Sequence, residues 1–125
     1  MSLTDSEWKI MNCLWRHSPL TARDVLEELE EETEWAYTTV KTLMNRLVDK
    51  GMLEARKRAN TSYYRPLLSR AQARSEAFHS FLERAFDGTL APFLGFLKEE
   101  DLSAAERRTL KRMLEEREEA DGSDA

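Results

Sequence analysis

The chain has 125 residues and a mass of 14.6 kDa, which allows one domain or two small ones and excludes a large multidomain enzyme. Apolar residues make up 41% of it and charged residues 34%, and the mean hydropathy is -0.65, so we expect a soluble globular protein with a core instead of a disordered chain. The first residues show no signal-peptide pattern, and no apolar run reaches the roughly 20 residues of a membrane span. We therefore expect a cytoplasmic protein without membrane insertion.

The net charge of -5 conceals a reversal of charge along the chain. Residues 1–36 contain three basic and nine acidic side chains, whereas residues 37–70 contain eight basic and two acidic ones. Residues 71–125 return to an acidic balance, with eight basic and thirteen acidic side chains. Only the middle segment would attract phosphate, so the low pI does not argue against nucleic-acid binding.

Capping patterns predict two helices at the start of the chain. Thr4 stands three residues before Glu7, and Thr21 stands three residues before Asp24, which is the spacing of a capping box. The first helix is predicted to run to about Arg16, with Trp8, Ile10, Met11, Leu14 and Trp15 on one face and Cys13 off it. The second helix is predicted to be short.

The middle segment predicts an amphipathic helix followed by a β-hairpin. Val40, Leu43, Met44, Leu47 and Val48 recur at helical spacing, and Gly51 supplies the C-terminal cap. Residues 53–58 and 62–66 favour two short strands around a turn at residues 59–61. Tyr63 and Tyr64 alternate across the second strand, so one of them is predicted to lie in the core.

The second half predicts three further helices. Ser69 with Gln72 opens the first of them, which ends at Gly88; residues 89–97 form a short apolar helix, and Ser103 with Glu106 opens the last. These helices are too small and too aromatic to bury themselves alone, so we predict that they form a homodimer. The predicted dimerisation residues are Phe78, Phe81, Leu82, Phe86, Phe93, Leu94, Phe96, Leu97, Leu110, Met113 and Leu114.

Three helices followed by a basic hairpin are typical of a winged helix-turn-helix domain. The predicted fold is thus mainly α with a small β-hairpin: a DNA-binding domain over residues 1–68, a helical dimerisation domain over 69–119 and a flexible tail over 120–125. Side chains of the third helix that lie opposite or beside its apolar stripe are predicted to contact bases: Thr38, Thr39, Lys41, Thr42, Asn45 and Arg46. The predicted contacts from the hairpin, or wing, are Arg56, Lys57, Arg58, Asn60 and Tyr63.

Other interpretations of the same residues stay open at this stage. The polar face of the third helix could be a solvated surface and the basic hairpin a protected sheet edge, in a module that binds protein instead of DNA. A small hydrolase with an unrecognised site is a further alternative. The sequence has no phosphate-binding glycine loop, and His17, His79 and Cys13 lack ligand spacing, so we expect no catalytic set, metal or cofactor. We interpret Trp35 as a core residue.

Several segments resemble the penicillinase and methicillin-resistance repressors, the BlaI, MecI and CopY family. The strongest are residues 4–11 (TDSEWKIM) before Leu14-Trp15, residues 35–42 (WAYTTVKT), residues 45–47 (NRL) and Lys50-Gly51. The similarity continues in Tyr63-Tyr64, in residues 86–88 (FDG) and in residues 99–103 (EEDLS). The resemblance therefore extends over most of the chain.

The resemblance implies a dimeric winged-helix repressor on a double-stranded operator with dyad symmetry, often built from TACA and TGTA half-sites. It assigns the DNA contacts to Thr38, Thr39, Lys41, Thr42, Arg46 and the hairpin. It also implies release from DNA through proteolysis triggered by a membrane sensor with a metalloprotease domain. The family's cleaved bond joins Asn to Phe, whereas the matching bond here joins Gly95 to Phe96. The cysteine-rich tail of the copper-responsive members has no counterpart in this sequence, so copper sensing is not expected.

Overall fold

The computed structural model describes residues 2–97 and 101–123, without the side chains of Phe96 and residues 117–123. The described part is mainly helical with one two-stranded antiparallel hairpin, which confirms the predicted fold class. Its elements are α1 (Asp5–Arg16), α2 (Ala22–Glu28), α3 (Tyr37–Asp49), β1 (Leu53–Arg58), β2 (Thr61–Pro66), α4 (Arg70–Phe86), α5 (Leu90–Phe96) and α6 (Ala104–Ser123). Within these residues no helix is both long and apolar enough to cross a bilayer.

The chain divides into two compact units, residues 1–81 and residues 82–125. The boundary between the DNA-binding and dimerisation domains at residue 68 stays a prediction. The first turns of α4 belong to unit 1, because the indole nitrogen of Trp15 donates to the carbonyl of Leu68 at 3.0 Å and the guanidinium of Arg70 lies 5.7 Å from the Trp15 ring centroid. Ala73, one turn further along, is also buried.

The end of α6 differs from the predicted tail. The helix continues to Ser123, so residues 120–123 are helical instead of forming the start of a flexible segment. The Glu, Arg and Ala residues that precede this stretch have high helix propensity, which outweighs the single Gly122. Residues 124–125 of the predicted tail lie outside the described residues.

The predicted caps are present at four helix starts. Thr4 and Thr21 form reciprocal capping boxes with Glu7 and Asp24. Ser69 exchanges the same pair of hydrogen bonds with Gln72, and Ser103 exchanges them with Glu106. Each box satisfies two backbone N–H groups that would otherwise lack partners, which fixes where the helix begins.

The core of unit 1 lies between α1, α2, α3 and the hairpin. Ile10, Met11 and Leu14 are buried from α1, and Val40, Met44 and Leu47 are buried from α3. Cys13 was predicted to lie off the apolar face of α1 but is fully buried, because α1 packs against α2, α3 and β2 and not against one neighbour alone. Burial, together with a hydrogen bond to Glu28, raises the pKa of the Cys13 thiol to about 12. The thiol therefore stays protonated, which disfavours thiolate chemistry.

The hairpin is one residue tighter than predicted. Arg58 pairs directly with Thr61, so the turn consists of Ala59 and Asn60 alone. Ala59 has a φ of 56°, the left-handed conformation that two-residue hairpin turns require. Tyr64 is the core residue of the tyrosine pair, and it joins the hairpin to the segment before α2: its N–H donates to the Leu20 carbonyl at 2.8 Å and its carbonyl accepts from Leu20 at 3.1 Å.

Unit 2 contains the end of α4 with α5 and α6. The N–H of Gly88 donates to the Leu82 carbonyl at 2.9 Å, and the φ of 79° at Gly88 makes this helix-ending turn favourable. The rings of Phe86 and Phe93 meet edge to face with their centroids 5.6 Å apart. Large apolar side chains nevertheless stay exposed in this unit: Leu90, Leu94, Leu110, Met113 and Leu114.

A buried ion pair connects the start of α1 to the end of α3. The Nζ of Lys50 donates to Oε1 of Glu7 at 2.7 Å, and the Glu7 side chain is fully buried. The same oxygen accepts from the backbone N–H of Thr4 at 2.8 Å. Burial acts to raise the pKa of Glu7, but the hydrogen bonds from Lys50 and Thr4 outweigh it, so the pKa of this carboxyl is lowered. The pair thus fixes the end of the α3 helix against the first helix.

We predict that Glu7→Gln lowers the free energy of unfolding by about 1 to 3 kcal/mol at pH 7, because Lys50 loses its buried counter-charge. A carboxyl with a lowered folded-state pKa stabilises the fold fully above its unfolded pKa of about 4.3 and loses that effect as the pH falls through the folded value. The difference between wild type and variant should therefore shrink in acid. Urea unfolding at a series of pH values measures it.

The matched control is Glu32→Gln, which removes the exposed partner of Lys9 and should change stability by less than about 1 kcal/mol. A Glu7→Gln effect no larger than that of the control would contradict the importance of the buried pair.

Candidate nucleic-acid interface

The third helix presents a polar face to solvent. Its apolar side is buried in the core of unit 1, and this fixes the rotation of the helix about its axis. The opposite side exposes five of the six residues predicted to contact bases: Thr38, Thr39, Thr42, Asn45 and Arg46. The face consists of short polar side chains and one arginine, so a groove edge can approach the helix closely.

Lys41, the sixth predicted residue, lies at the edge of this face and is less exposed. Its ammonium is half-buried at the flank of α3 and donates to the hydroxyl of Tyr64 at 2.6 Å. The Tyr64 hydroxyl in turn donates to Oδ1 of Asn45 at 3.5 Å. One buried tyrosine of the wing therefore contacts two of the polar side chains of α3. The helical period alone could not reveal this, because it depends on how the hairpin packs.

Four of the five charged side chains of the wing lie on one face of the hairpin, and Lys57 lies on the other. In the register of the two strands Glu54, Arg56 and Arg58 oppose Arg65, Tyr63 and Thr61. Glu54 accepts from Nε of Arg56 at 2.8 Å and from Nε of Arg65 at 2.7 Å, and these two hydrogen bonds lower the pKa of its carboxyl. Of the predicted wing residues, Arg56, Lys57, Arg58 and Asn60 are exposed and Tyr63 is half-buried.

The structure also brings together residues that the sequence analysis did not select. A polar notch lies between the start of α2, the start of α3 and the tip of the wing, and Arg23, Tyr37, Thr61 and Ser62 are among its lining residues. The guanidinium carbon of Arg23 lies 5.2 Å from the centroid of the Tyr37 ring. Arg23 belongs to the acidic first segment of the chain, and no local pattern in the sequence places it beside the wing.

Three residues considered in the sequence, Trp35, His17 and His79, lie outside this interface. Trp35 packs against the core cluster, as interpreted from the sequence. His17 and His79 are exposed, and the described residues contain no group of three or more His, Cys, Asp and Glu side chains that could hold a metal.

The predicted dimerisation residues differ in exposure. Leu82 is buried, Phe86, Phe93 and Leu97 are half-buried, and the Phe96 side chain lies outside the described residues. The others are exposed: Phe78, Phe81, Leu94, Leu110, Met113 and Leu114.

Taken together, a helix with an exposed polar face, two supporting helices and an adjoining basic hairpin define unit 1 as a winged helix-turn-helix domain. The family model described as penicillinase repressor matches residues 3–116. The chain belongs to the penicillinase repressor family. This match confirms the resemblance inferred from the sequence segments.

Individual relatives agree with the family. The chain is 33% identical over 115 residues to the penicillinase repressor of Bacillus licheniformis, covering 91% of this chain and 90% of that protein. It is 26% identical over 113 residues to the methicillin resistance regulatory protein MecI of Mammaliicoccus sciuri, covering 90% and 92%. Both relatives are named as regulators and not as enzymes, which supports the prediction of a non-enzymatic protein.

Two solved structures resemble the first part of the chain. The solution structure of the DNA-binding domain of the repressor BlaI aligns with a TM-score of 0.51 and 28% identity, covering 57% of this chain and 92% of that chain. The monomeric form of Bacillus licheniformis BlaI in complex with the blaP half-operator aligns with a TM-score of 0.50 and the same identity, covering 57% and 87%. The predicted winged-helix fold is thereby confirmed.

Proposed function

We propose that this protein is a transcriptional repressor that binds a palindromic operator as a homodimer. The observation that supports this most strongly is the exposed polar face of α3, held on a buried core beside a basic wing. The BlaI structure that unit 1 resembles is a complex with a half-operator, which supports the same role here.

The side chains on this face have the chemistry that base recognition needs. Asn45 can bond to adenine and Arg46 to guanine through paired hydrogen bonds, while the hydroxyl and methyl groups of Thr38, Thr39 and Thr42 can contact base edges and thymine methyls. Arg56, Lys57 and Arg58 of the wing would contact backbone phosphate, which fixes the position of the domain on DNA but does not select sequence.

The test is fluorescence anisotropy of the full chain with two labelled duplexes, one containing a TACA and TGTA dyad and one with the same bases scrambled. We expect tight binding to the dyad, weak binding to the scrambled duplex, and steep loss of both as salt rises. If a selection from random DNA also yields no preferred sequence, the function is not that of an operator-binding repressor.

We predict that Arg46→Ala costs about 1 to 3 kcal/mol of binding to the dyad duplex and much less on the scrambled one, because a base contact is lost. Replacing Arg56, Lys57 and Arg58 with Gln should instead weaken binding to both duplexes about equally and flatten the salt dependence. Anisotropy at several salt concentrations measures both effects. Equal losses from Arg46→Ala on the two duplexes would show that this residue does not select sequence.

The proposed homodimer is supported by the apolar side chains that unit 2 leaves exposed. Leu110, Met113 and Leu114 lie along one side of α6, with 42%, 60% and 59% of their surface accessible. Exposed large apolar side chains grouped in this way are typical of an interface. A two-fold dimer would place two α3 helices in successive major-groove turns about 34–36 Å apart, which matches a palindromic operator.

We predict that Leu114→Lys shifts the protein toward monomer, because a buried unpaired charge at an apolar interface costs several kcal/mol. The matched control is Glu115→Lys, which adds a lysine about 100° or more around α6 from Leu110, Met113 and Leu114 and should leave the dimer intact. Sedimentation equilibrium measures the molecular mass of each. A monomeric wild type, or a Leu114→Lys variant with the dissociation constant of wild type, would contradict this interface.

We further propose that the repressor is released by cleavage next to Gly95, as in relatives that respond to a membrane sensor metalloprotease. Gly95 and the adjoining Leu94 are exposed on the seven-residue helix α5, so a protease can reach this bond once the helix unwinds. Mass spectrometry of the protein before and after exposure of its cells to a β-lactam tests this. We expect a new fragment ending at Gly95, and an intact chain in induced cells would contradict release by cleavage.

A further inference from the structure

The polar notch has the chemistry of a site for a phosphate group and ample room for one. Its volume is about 260 Å³, and it is lined by side chains from α2, α3 and the wing tip. The lining residues are Thr21, Ala22, Arg23, Tyr37, Lys41, Asn60, Thr61 and Ser62. Two of these residues are cations, four have hydroxyl groups and one has an amide. None of these lining residues is acidic. This composition is notable in a protein whose net charge is -5.

The two cations of the notch come from different helices. Arg23 lies in the first turn of α2, with its guanidinium 5.2 Å from the centroid of the Tyr37 ring, which restricts the orientation of the side chain. Lys41 lies one turn into α3. A guanidinium and an ammonium on adjacent walls of a notch can contact different oxygens of one phosphate.

Lys41 is oriented by the wing. Its ammonium donates to the Tyr64 hydroxyl at 2.6 Å, and Tyr64 is only 1% exposed. The Tyr64 backbone is itself fixed by two hydrogen bonds to Leu20, so the hydroxyl cannot move freely. An ammonium has three N–H donors. Tyr64 uses one of them, which leaves the others available for a ligand in the notch.

The position of the notch favours DNA as the source of the phosphate. Lys41 lies on the flank of the polar face of α3, next to Thr38 and Asn45 at helical spacing. If α3 enters the major groove, the strand that borders the groove must pass along this flank. A free phosphate compound would have the same chemistry, but its binding would not require a site beside the recognition helix.

We propose that the notch binds one backbone phosphate of the operator, with Arg23 and Lys41 as its charged ligands and Tyr64 as the positioning residue that orients Lys41. This inference rests on the proposed DNA-binding function. It adds a contact from α2 to the contacts from α3 and the wing.

The experiment compares Arg23→Gln, Lys41→Gln and wild type by anisotropy on the dyad and scrambled duplexes across a salt series. Each variant should weaken binding to both duplexes by roughly five- to tenfold at 0.1 M salt and reduce the slope of log K against log salt by about one. The ratio of the two affinities should not change, because a phosphate contact does not select sequence. The matched control is Lys9→Gln, an exposed lysine of α1 paired with Glu32, which should leave the slope unchanged.

Tyr64→Phe tests the positioning role, since it removes the hydroxyl and keeps the buried ring. We expect it to weaken DNA binding several-fold in the wild-type background and much less in the Lys41→Gln background, where only the longer hydrogen bond from the hydroxyl to Asn45 is lost. An equal effect in both backgrounds would show that the hydroxyl does not act through Lys41.

The outcomes separate this proposal from the proposed function. If wild type prefers the dyad but Arg23→Gln and Lys41→Gln keep its salt slope, the phosphate site is wrong and the repressor function stands. If wild type shows no preference for any duplex sequence, the repressor function fails, while the slopes on the scrambled duplex still decide whether the notch binds phosphate. If inorganic phosphate at constant ionic strength displaces DNA from wild type as strongly as from Arg23→Gln, the notch does not bind phosphate.

Discussion

Tyr64 is the residue on which the arrangement of the DNA-binding surface depends. Its ring is buried in the core, its backbone pairs with Leu20 before α2, and its hydroxyl contacts Lys41 and Asn45 on α3. One side chain thus connects the wing, the segment before α2 and the third helix. Because buried polar groups need partners, the hydroxyl can be satisfied only when the hairpin and α3 are in this relative position. The surface is therefore set before any ligand binds, and a preformed surface loses less entropy on binding.

The C-terminal end of α3 is fixed by a different interaction. Lys50 follows the last turn and pairs with the buried carboxylate of Glu7 at the start of α1. Glu7 also serves in the capping box that begins α1, so one carboxylate defines a helix start and holds the neighbouring helix. Held at its middle by Tyr64 and at its C-terminal end by Glu7, α3 has a fixed orientation for its polar face. Unit 2 contrasts with this, because it leaves large apolar side chains of α5 and α6 exposed.

Much of this architecture could be predicted from the sequence, and the remainder depends on tertiary packing. Capping boxes and the 3.6-residue period act locally, so the helix starts and the exposed face of α3 follow from the residues themselves. The burial of Cys13 did not follow, since α1 has neighbours on several sides. The orientation of the Lys41 side chain and the position of Arg23 in the notch depend on contacts between residues far apart in the sequence. Local patterns do not encode such contacts. The packing of the start of α4 within unit 1 depends on such contacts too, because Trp15 contacts Leu68 and Arg70 across more than fifty residues.

If α3, the notch and the wing tip form a single surface, all three should contact DNA together. The most direct measurement is a titration of the ¹⁵N-labelled full chain with a duplex half-operator, followed by amide chemical shifts. We expect the largest shifts on residues 37–46, on Arg23 and on the wing tip around Asn60, with little change on the exposed acidic residues that follow α2. Shifts confined to the acidic surfaces, or absent from α3 at saturating DNA, would contradict it.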